Sequence, residues 1–288
     1  MKFAVIGGDM RHAKLCELLA LDRHLVTAFA IDKLKLEDGV VQTDDIKEAA
    51  DGAECVIFPL PMTTKDAFLN APLSNGIHST HKIISALHPQ QVICAGKIDC
   101  LSYELANEFG LHLVDYLERE EFAVLNAVAA AEGALQLIME ETPVTVFNLN
   151  CLVLGFGRIS KILCHRLHGL SADVTCAARE CADLAWIKAY GYKALDLAEL
   201  DGRLSKFDVI INTIPARVLP YQRLQELKSG ALCLDLASKP GGLDFTAASR
   251  LGVRAMWALS LPGEVAPVSS GAVIRDTIYN ILKEKGNM

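Results

Sequence analysis

The run Leu152-Val-Leu-Gly-Phe-Gly-Arg-Ile-Ser160 has the residue types and spacing best suited to chemistry in this sequence. It reads as an apolar strand, a G-x-G-x-x-S turn and the opening of a helix. Gly155 permits a tight turn, Gly157 lets the backbone approach a pyrophosphate, and Ser160 is small enough for the helix to pack on the strand. Around Phe156, Arg158 and Ile159 the helix start supplies backbone N–H groups and the positive end of a dipole, which suit phosphate. The run therefore predicts a dinucleotide site. The next strand, Asp173-Val-Thr-Cys-Ala-Ala-Arg179, ends without the acid that usually holds the ribose 2′-hydroxyl of NAD. Ala178 and Arg179 occupy that place, and arginine pairs with a 2′-phosphate through charge-assisted hydrogen bonds. NADP is the expected coenzyme, and Glu180, which follows at once, keeps NAD open.

Two later segments, Asp208–Pro215 and Leu234–Gly242, each run from a strand into a polar loop. Ligands of a doubly wound sheet lie beyond the carboxyl ends of its strands. Asn212, Thr213, Ile214 and Pro215 are thus expected on the nicotinamide side, with Ala237, Ser238 and Lys239 on the same rim. Near the N-terminus, Gly7-Gly-Asp-Met-Arg11 also follows a strand but lacks the dinucleotide spacing. It is read as a turn bearing an acid and a base, either facing substrate or simply turning, and not as a second dinucleotide site. His165 and His168 stand three apart, as do His78 and His81, but no cysteine or carboxylate completes either set, so no metal is expected.

Such residues need a scaffold of parallel strands. The apolar runs Phe3–Ile6, Leu25–Ala30, Cys55–Phe58, Val92–Ala95 and Leu111–Val114 alternate with helical patterns near Arg11–Leu21, Ile46–Ala50 and Cys100–Phe109. Continuous apolar strands separated by helices imply a parallel sheet covered on both faces. The second half repeats the alternation, with strands expected at Leu152–Leu154, Asp173–Ala177, Val209–Asn212, Ala231–Asp235 and Val253–Trp257. The predicted architecture is α/β, with two Rossmann-like doubly wound domains joined by a long helix. Residues 1–117 form the substrate-side domain, 118–143 the interdomain helix, 144–268 the NAD(P)-binding domain and 269–288 a C-terminal amphipathic helix.

Apolar residues make up 51% of the 288 and charged residues 22%, enough to bury such cores. A net charge of −7 with no compensating basic block argues against nucleic-acid binding. The nine cysteines contain no C-x-x-C pair and read as reduced thiols. Phe3–Ile6 is too short for the apolar region of a signal peptide. Phe122–Met139 is interrupted by Asn126, Glu132 and Gln136 and reads as a buried helix rather than a membrane span. A soluble cytoplasmic protein is expected, with no membrane partner and room for a homo-oligomer.

Taken in order, several runs resemble the A-subunit family of dipicolinate synthase over essentially the whole chain. They are Gly7-Gly-Asp-x-Arg11, Pro59-Leu-Pro61, Leu125-Asn-Ala-x-Ala-x-Ala-Glu-Gly133 and Leu154-Gly-Phe-Gly-Arg158. Asn212-Thr-Ile-Pro215, Ala237-Ser-Lys-Pro-Gly-Gly242 and Leu261-Pro-Gly-x-x-Ala-Pro267 complete the set. The chain departs from the family at Glu264, where members usually carry Lys. The resemblance implies an oxidoreductase that works with the flavoprotein-like B subunit of dipicolinate synthase. Its reaction would be oxidation of dihydrodipicolinate, a lysine-pathway intermediate, to dipicolinate in the mother cell of a sporulating bacterium.

A small dicarboxylate substrate calls for at least two cationic or N–H donors. Arg11, His81, Lys97, Arg119 and Lys239 are the candidates, and Lys239 is read as catalytic because it lies beside the expected nicotinamide. A base is also needed. His81 suits by its ordinary pKa and Asp9 by its place after a strand. Pro61, Asn126 and Ser238 complete the expected substrate contacts. Asn126 is included because a polar residue among small apolar ones needs a partner, which is either a ligand or a helix-packing hydrogen bond. Two other readings stand beside this one: a dehydrogenase of another small carboxylic acid, and a nucleotide-binding subunit that is not itself a catalyst.

Overall fold

The computed structural model describes all 288 residues. Its first sheet is built from β1 (Lys2–Ile6), α1 (Met10–Leu21), β2 (Leu25–Phe29), β3 (Val40–Thr43), α2 (Ile46–Ala50), β4 (Cys55–Ile57), α3 (Thr80–Ile84), β5 (Val92–Ala95), α4 (Cys100–Glu108) and β6 (Leu113–Asp115). Every strand pair is parallel, in the order β3-β2-β1-β4-β5-β6. Phe3 to Ile6 have no exposure, and their side chains alternate between two buried clusters, Phe3 and Val5 in one, Ala4 and Ile6 in the other. Burial on both faces is why this strand reads as an unbroken apolar run.

After α5 (Glu120–Glu141) the second sheet follows: β7 (Asn150–Leu154), α6 (Arg158–Gly169), β8 (Asp173–Ala178), α7 (Cys181–Ala189), β9 (Lys193–Asp196), β10 (Val209–Asn212), α8 (Tyr221–Leu224), β11 (Leu232–Asp235), α9 (Phe245–Leu251) and β12 (Arg254–Trp257). Its order, β12-β11-β10-β7-β8-β9, is again all parallel. In both sheets the first strand lies between the second and the fourth, which is the doubly wound Rossmann arrangement with its switch point beside the first strand. The chain closes with α10 (Leu261–Val265) and α11 (Pro267–Glu284).

Two compact units result. One comprises Met1–Asn126 and Pro262–Met288, the other Ala127–Leu261, so the division runs through α5. The amphipathic face of α11 returns to the first sheet: Ile274, Ile278, Ile281 and Leu282 join Leu15 and Leu19 of α1 in one cluster. Length and composition alone would let α5 cross a bilayer, but Phe122, Ala127, Ala131, Ala134 and Ile138 are buried within the protein.

Two strands, β3 and β9, are not legible in the sequence. Both are short edge strands. Val40-Val-Gln-Thr43 is largely exposed and Lys193-Ala-Leu-Asp196 is charged at both ends, so neither has an apolar run to mark it. The sixth strand starts two residues later than expected, at Leu113, and α5 is preceded by a separate tight turn at Tyr116–Glu118.

Gly271 sets how closely α11 approaches α1. A Cβ there would lie 2.8 Å from Arg11 O and 3.1 Å from Leu15 N. Gly271→Ala should therefore destabilise the protein by about 1–3 kcal/mol, although alanine is the better helix former. Gly169, the last residue of α6, has nothing within 4 Å of a Cβ. Gly169→Ala should be neutral or stabilising by up to about 1 kcal/mol. Urea or thermal unfolding of the two variants checks the opposite signs.

Candidate functional site

The turn after β7 contains two glycines with different reasons to be glycine. Gly155 has a φ of +96°, and a Cβ on it would lie 2.5 Å from Thr213 Oγ1. The fold itself requires glycine there. Gly157 has a φ of −83°, which any residue adopts, and no atom lies within 4 Å of where its Cβ would be. What a glycine leaves at this position is open space against the backbone. Gly157 is also the N-cap of α6 and contributes no side-chain hydrogen bond, so no side chain of its own covers the helix start. Thr213 Oγ1 donates to Leu154 O at 2.8 Å and accepts from Ser160 Oγ at 2.8 Å. Buried Ser160 thereby fastens α6 to the sheet.

Arg158 is exposed and Ile159 half-buried at the helix start. The Phe156 side chain is buried, with Lys161 Nζ 5.3 Å from its ring centroid and the Tyr190 ring 6.2 Å away. Only its backbone belongs to the turn. At the end of β8, Ala178 is buried, whereas the Arg179 side chain is 83% exposed and pairs only with its neighbour Glu180, at 2.9 Å. A surface pair of this kind is weak, so the guanidinium is free to turn to another anion.

Beyond β10 and β11, two buried side chains that sequence reasoning misjudged or missed hold the loops. Asn212 was expected to line the site, but it is fully buried. Its Nδ2 donates to Asp235 Oδ1 at 2.7 Å and to Ile214 O, while its Oδ1 accepts from Ile214 N. Asp235 also accepts from the backbone N–H groups of Ala237, Gly242 and Leu243. These bonds satisfy a buried carboxylate without a cation and fix the Ala237–Gly242 loop. The only sequence signal was an acid ending a strand shortly before Gly241-Gly242, where a Cβ on Gly242 would lie 2.2 Å from Asn212 Nδ2. Thr213 and Ile214 are half-buried and Pro215 exposed. Ala237 is buried, its carbonyl accepting from Trp257 Nε1. Ser238 and Lys239 are exposed beyond β11.

The corresponding places in the first sheet are filled by the protein itself. Asp9 caps α1, its Oδ1 accepting from Arg11 N at 3.0 Å. The space beside Gly8 is taken by the His12 ring, 2.3 Å from a would-be Cβ, and that beside Gly7 by Leu69. After β2, Asp32 accepts from Ser74 Oγ and Asn75 N. A cavity of about 860 Å³ does open beyond β2 and β3, lined by Asp32, Lys35, Asp44 and His78 among others, but neither Gly7 nor Gly8 lines it.

Half-buried Asp9 joins buried Arg11, His12 and Tyr116 in one polar network. Arg11, 6% exposed, donates Nε and Nη2 to the Asp9 carboxylate and Nη2 also to Leu60 O at 2.8 Å. Burial opposes the charge of Asp9, but the hydrogen bonds and charge of Arg11 hold the carboxyl well below the usual range. Asp9 is thus an anchor for Arg11 and a poor base, which corrects its expected catalytic role. His12 and Tyr116 were missed, because sequence alone cannot show that residues 104 apart share a hydrogen bond.

Other candidates are not brought to this network. His81 is exposed on α3, its ring 5.5 Å from Phe109. Phe109 ends α4 just before β6 begins, so His81 lies toward the amino ends of the strands and is not placed as the base. Arg119 is held by Glu121 and by both oxygens of Glu284. Lys97 is exposed, its backbone N–H bound to Asp115. Asn126 is half-buried on α5. Pro61, exposed after a cis peptide bond, has its carbonyl bound by Asn70 Nδ2 near the turn whose Gly8 N–H binds Asn70 O.

Residues 2–117 match the model of the N-terminal domain of the dipicolinate synthase A subunit. The whole chain is 30% identical to the dipicolinate synthase A subunit of Bacillus subtilis (strain 168) over 288 residues, covering 99% of this chain and 96% of that one. Among solved structures, the dipicolinate synthase A subunit from Bacillus halodurans superposes with a TM-score of 0.87 at 28% identity, over 98% of this chain and 97% of the other. D-Lactate dehydrogenase from Escherichia coli shares the fold alone, with a TM-score of 0.62 at 16% identity over 100% and 98% of the two chains. Two Rossmann-type sheets thus accompany a full-length sequence match, and the chain belongs to the A-subunit family of dipicolinate synthase.

Proposed function

We propose that this chain is the nicotinamide-coenzyme subunit of a dipicolinate synthase. With the flavoprotein-like B subunit it oxidises dihydrodipicolinate to dipicolinate in the cytoplasm of a sporulating cell. The observation that supports this most is Gly157, a glycine that neither backbone conformation nor packing demands. It fits a coenzyme whose pyrophosphate lies against the N-terminus of α6. Backbone N–H groups between Phe156 and Ser160 would hold that pyrophosphate, while the Gly155 N–H is used by Ala177 O. Thr213, Ile214, Pro215 and Ala237 would shape the nicotinamide side, on a rim braced by Asn212 and Asp235. A bound nicotinamide supplies the hydride acceptor; the substrate gives up a hydride and a proton, and its ring becomes aromatic.

In the first unit, Arg11 is the proposed receptor for a substrate carboxylate. Asp9 and Leu60 O fix Nε and Nη2, which leaves Nη1 to meet a ligand in a set orientation. Pro61 and Asn126 remain proposed substrate contacts of that unit. On the second unit, Lys239 and Ser238 are the exposed groups proposed to meet the anionic substrate, Lys239 as the catalytic cation. The coenzyme is NADP in this reading, because Arg179 directly follows β8 where an NAD site would carry an acid.

Titration of NADPH and NADH against wild type, Arg179→Ala and Gly157→Val tests the reading. Wild type should prefer NADPH by at least about tenfold, or about 1.4 kcal/mol, and Arg179→Ala should lose that preference. An unchanged preference would remove the reason for choosing NADP. Gly157→Val should lower the unfolding temperature by no more than a few degrees, as valine is a poorer N-cap than glycine, yet bind either coenzyme at least about tenfold more weakly. Undiminished binding by Gly157→Val would contradict the assigned pyrophosphate site.

A further inference from the structure

His12 is fully buried on α1, and its two ring nitrogens are treated unequally. Tyr116 Oη is placed to donate to Phe58 O at 3.1 Å, and in that orientation it accepts from His12 Nε2 at 3.3 Å. A neutral His12 must then carry its proton on Nε2, which leaves a bare lone pair on Nδ1. That atom has no hydrogen-bond partner and lies 3.6 Å from Asp9 Oδ1. A buried acceptor aimed at a carboxylate is an unfavourable pairing. One added proton would convert it into a charge-assisted hydrogen bond.

Burial and the positive charge of Arg11 keep that proton away, while Asp9 attracts it. These two side chains and Tyr116 are the titratable groups facing the ring. From the neighbouring elements, the loop after β4 supplies the Phe58 carbonyl, and α11 meets α1 through Gly271 and Ile274, which carry no charge.

We infer that binding of a carboxylate ligand to Arg11 is coupled to uptake of one proton by His12. The inference rests on the reading of Arg11 as the carboxylate receptor. An anion at Nη1 offsets the guanidinium charge that disfavours an imidazolium nearby. The ring then takes a proton from solvent on Nδ1 and donates it to Asp9. Asp9 is held more firmly beneath Arg11 in return, so anion and proton favour each other reciprocally. His12 is a positioning residue, since it reaches the ligand only through Asp9 and Arg11.

Calorimetric titration of the full-length protein with pyridine-2,6-dicarboxylate, in buffers of different ionisation heat between about pH 6 and about pH 9, tests the coupling. The ligand is fully ionised throughout this range, so any proton taken up belongs to the protein. Wild type should take up close to one proton per ligand at pH values between the free and ligand-bound pKa of His12, and affinity should fall by up to about tenfold per pH unit across that window. His12→Asn places a non-titrating amide within reach of Asp9 and should bind with no proton uptake and no pH slope. Tyr116→Phe removes the acceptor that fixes the tautomer; it should reduce the uptake while leaving the ligand site in place. Binding that Arg11→Gln abolishes but that takes up no proton in wild type overturns the coupling and leaves Arg11 as receptor. Absence of wild-type binding, or binding indifferent to Arg11→Gln, overturns both readings. Undiminished uptake in His12→Asn overturns the assignment to His12.

Discussion

An α-helix begins with backbone N–H groups that have no partner inside the helix. The two sheets of this chain share one strand order but treat the helix after their first strand in opposite ways. In the first sheet the groups are closed off: Asp9 supplies a carboxylate to the start of α1, and the His12 ring fills the space beside Gly8. In the second Gly157 brings neither a capping side chain nor a packing contact. A carboxylate cap and a bound phosphate satisfy the same need, negative charge and acceptor oxygens at the positive end of a dipole. One sheet therefore carries its anion covalently, and the other is suited to receive one.

The consequence in the first unit is that a capping residue also acts as an anchor. Asp9 cannot hold Arg11 side-on and serve as a base as well, because the contacts that hold the pair together keep the carboxyl ionised. A buried ion pair is weak evidence for stability, but it fixes direction, and the Leu60 carbonyl fixes it further. His12 and Tyr116 extend the network into the core, where each polar atom must be satisfied or carry a cost. In the second unit Asp235 has the same economy: one buried carboxylate, met by an amide and three backbone N–H groups, sets the shape of the loop that ends in Gly242.

The parallel sheets were legible because buried strands such as Phe3–Ile6 and Cys151–Leu154 need apolar side chains on both faces. Edge strands β3 and β9 have no such requirement and left no pattern. The glycine turn after β7 was legible because its residues are close in sequence and each spacing has a physical reason. The first unit's network was not, since it joins Asp9 and Arg11 to Leu60 and Tyr116 across distant parts of the chain. Residue chemistry alone nominated His81 and Arg119. Position decided against both, one lying toward the amino ends of the strands and the other being bound by two glutamates. The same limit applied to Asn212, whose polar side chain after a strand looked like a ligand contact and is a brace.

The central claim is that only the helix start after β7 receives a phosphate. Amide chemical-shift mapping during titration with NADPH tests it most directly. The account predicts that the resonances of Gly155 to Ser160 move saturably and in step, while those of Gly7 to His12 on the Asp9-capped turn do not follow the same binding curve. Saturable shifts centred on Gly7 to His12, with Gly155 to Ser160 unmoved, would contradict it.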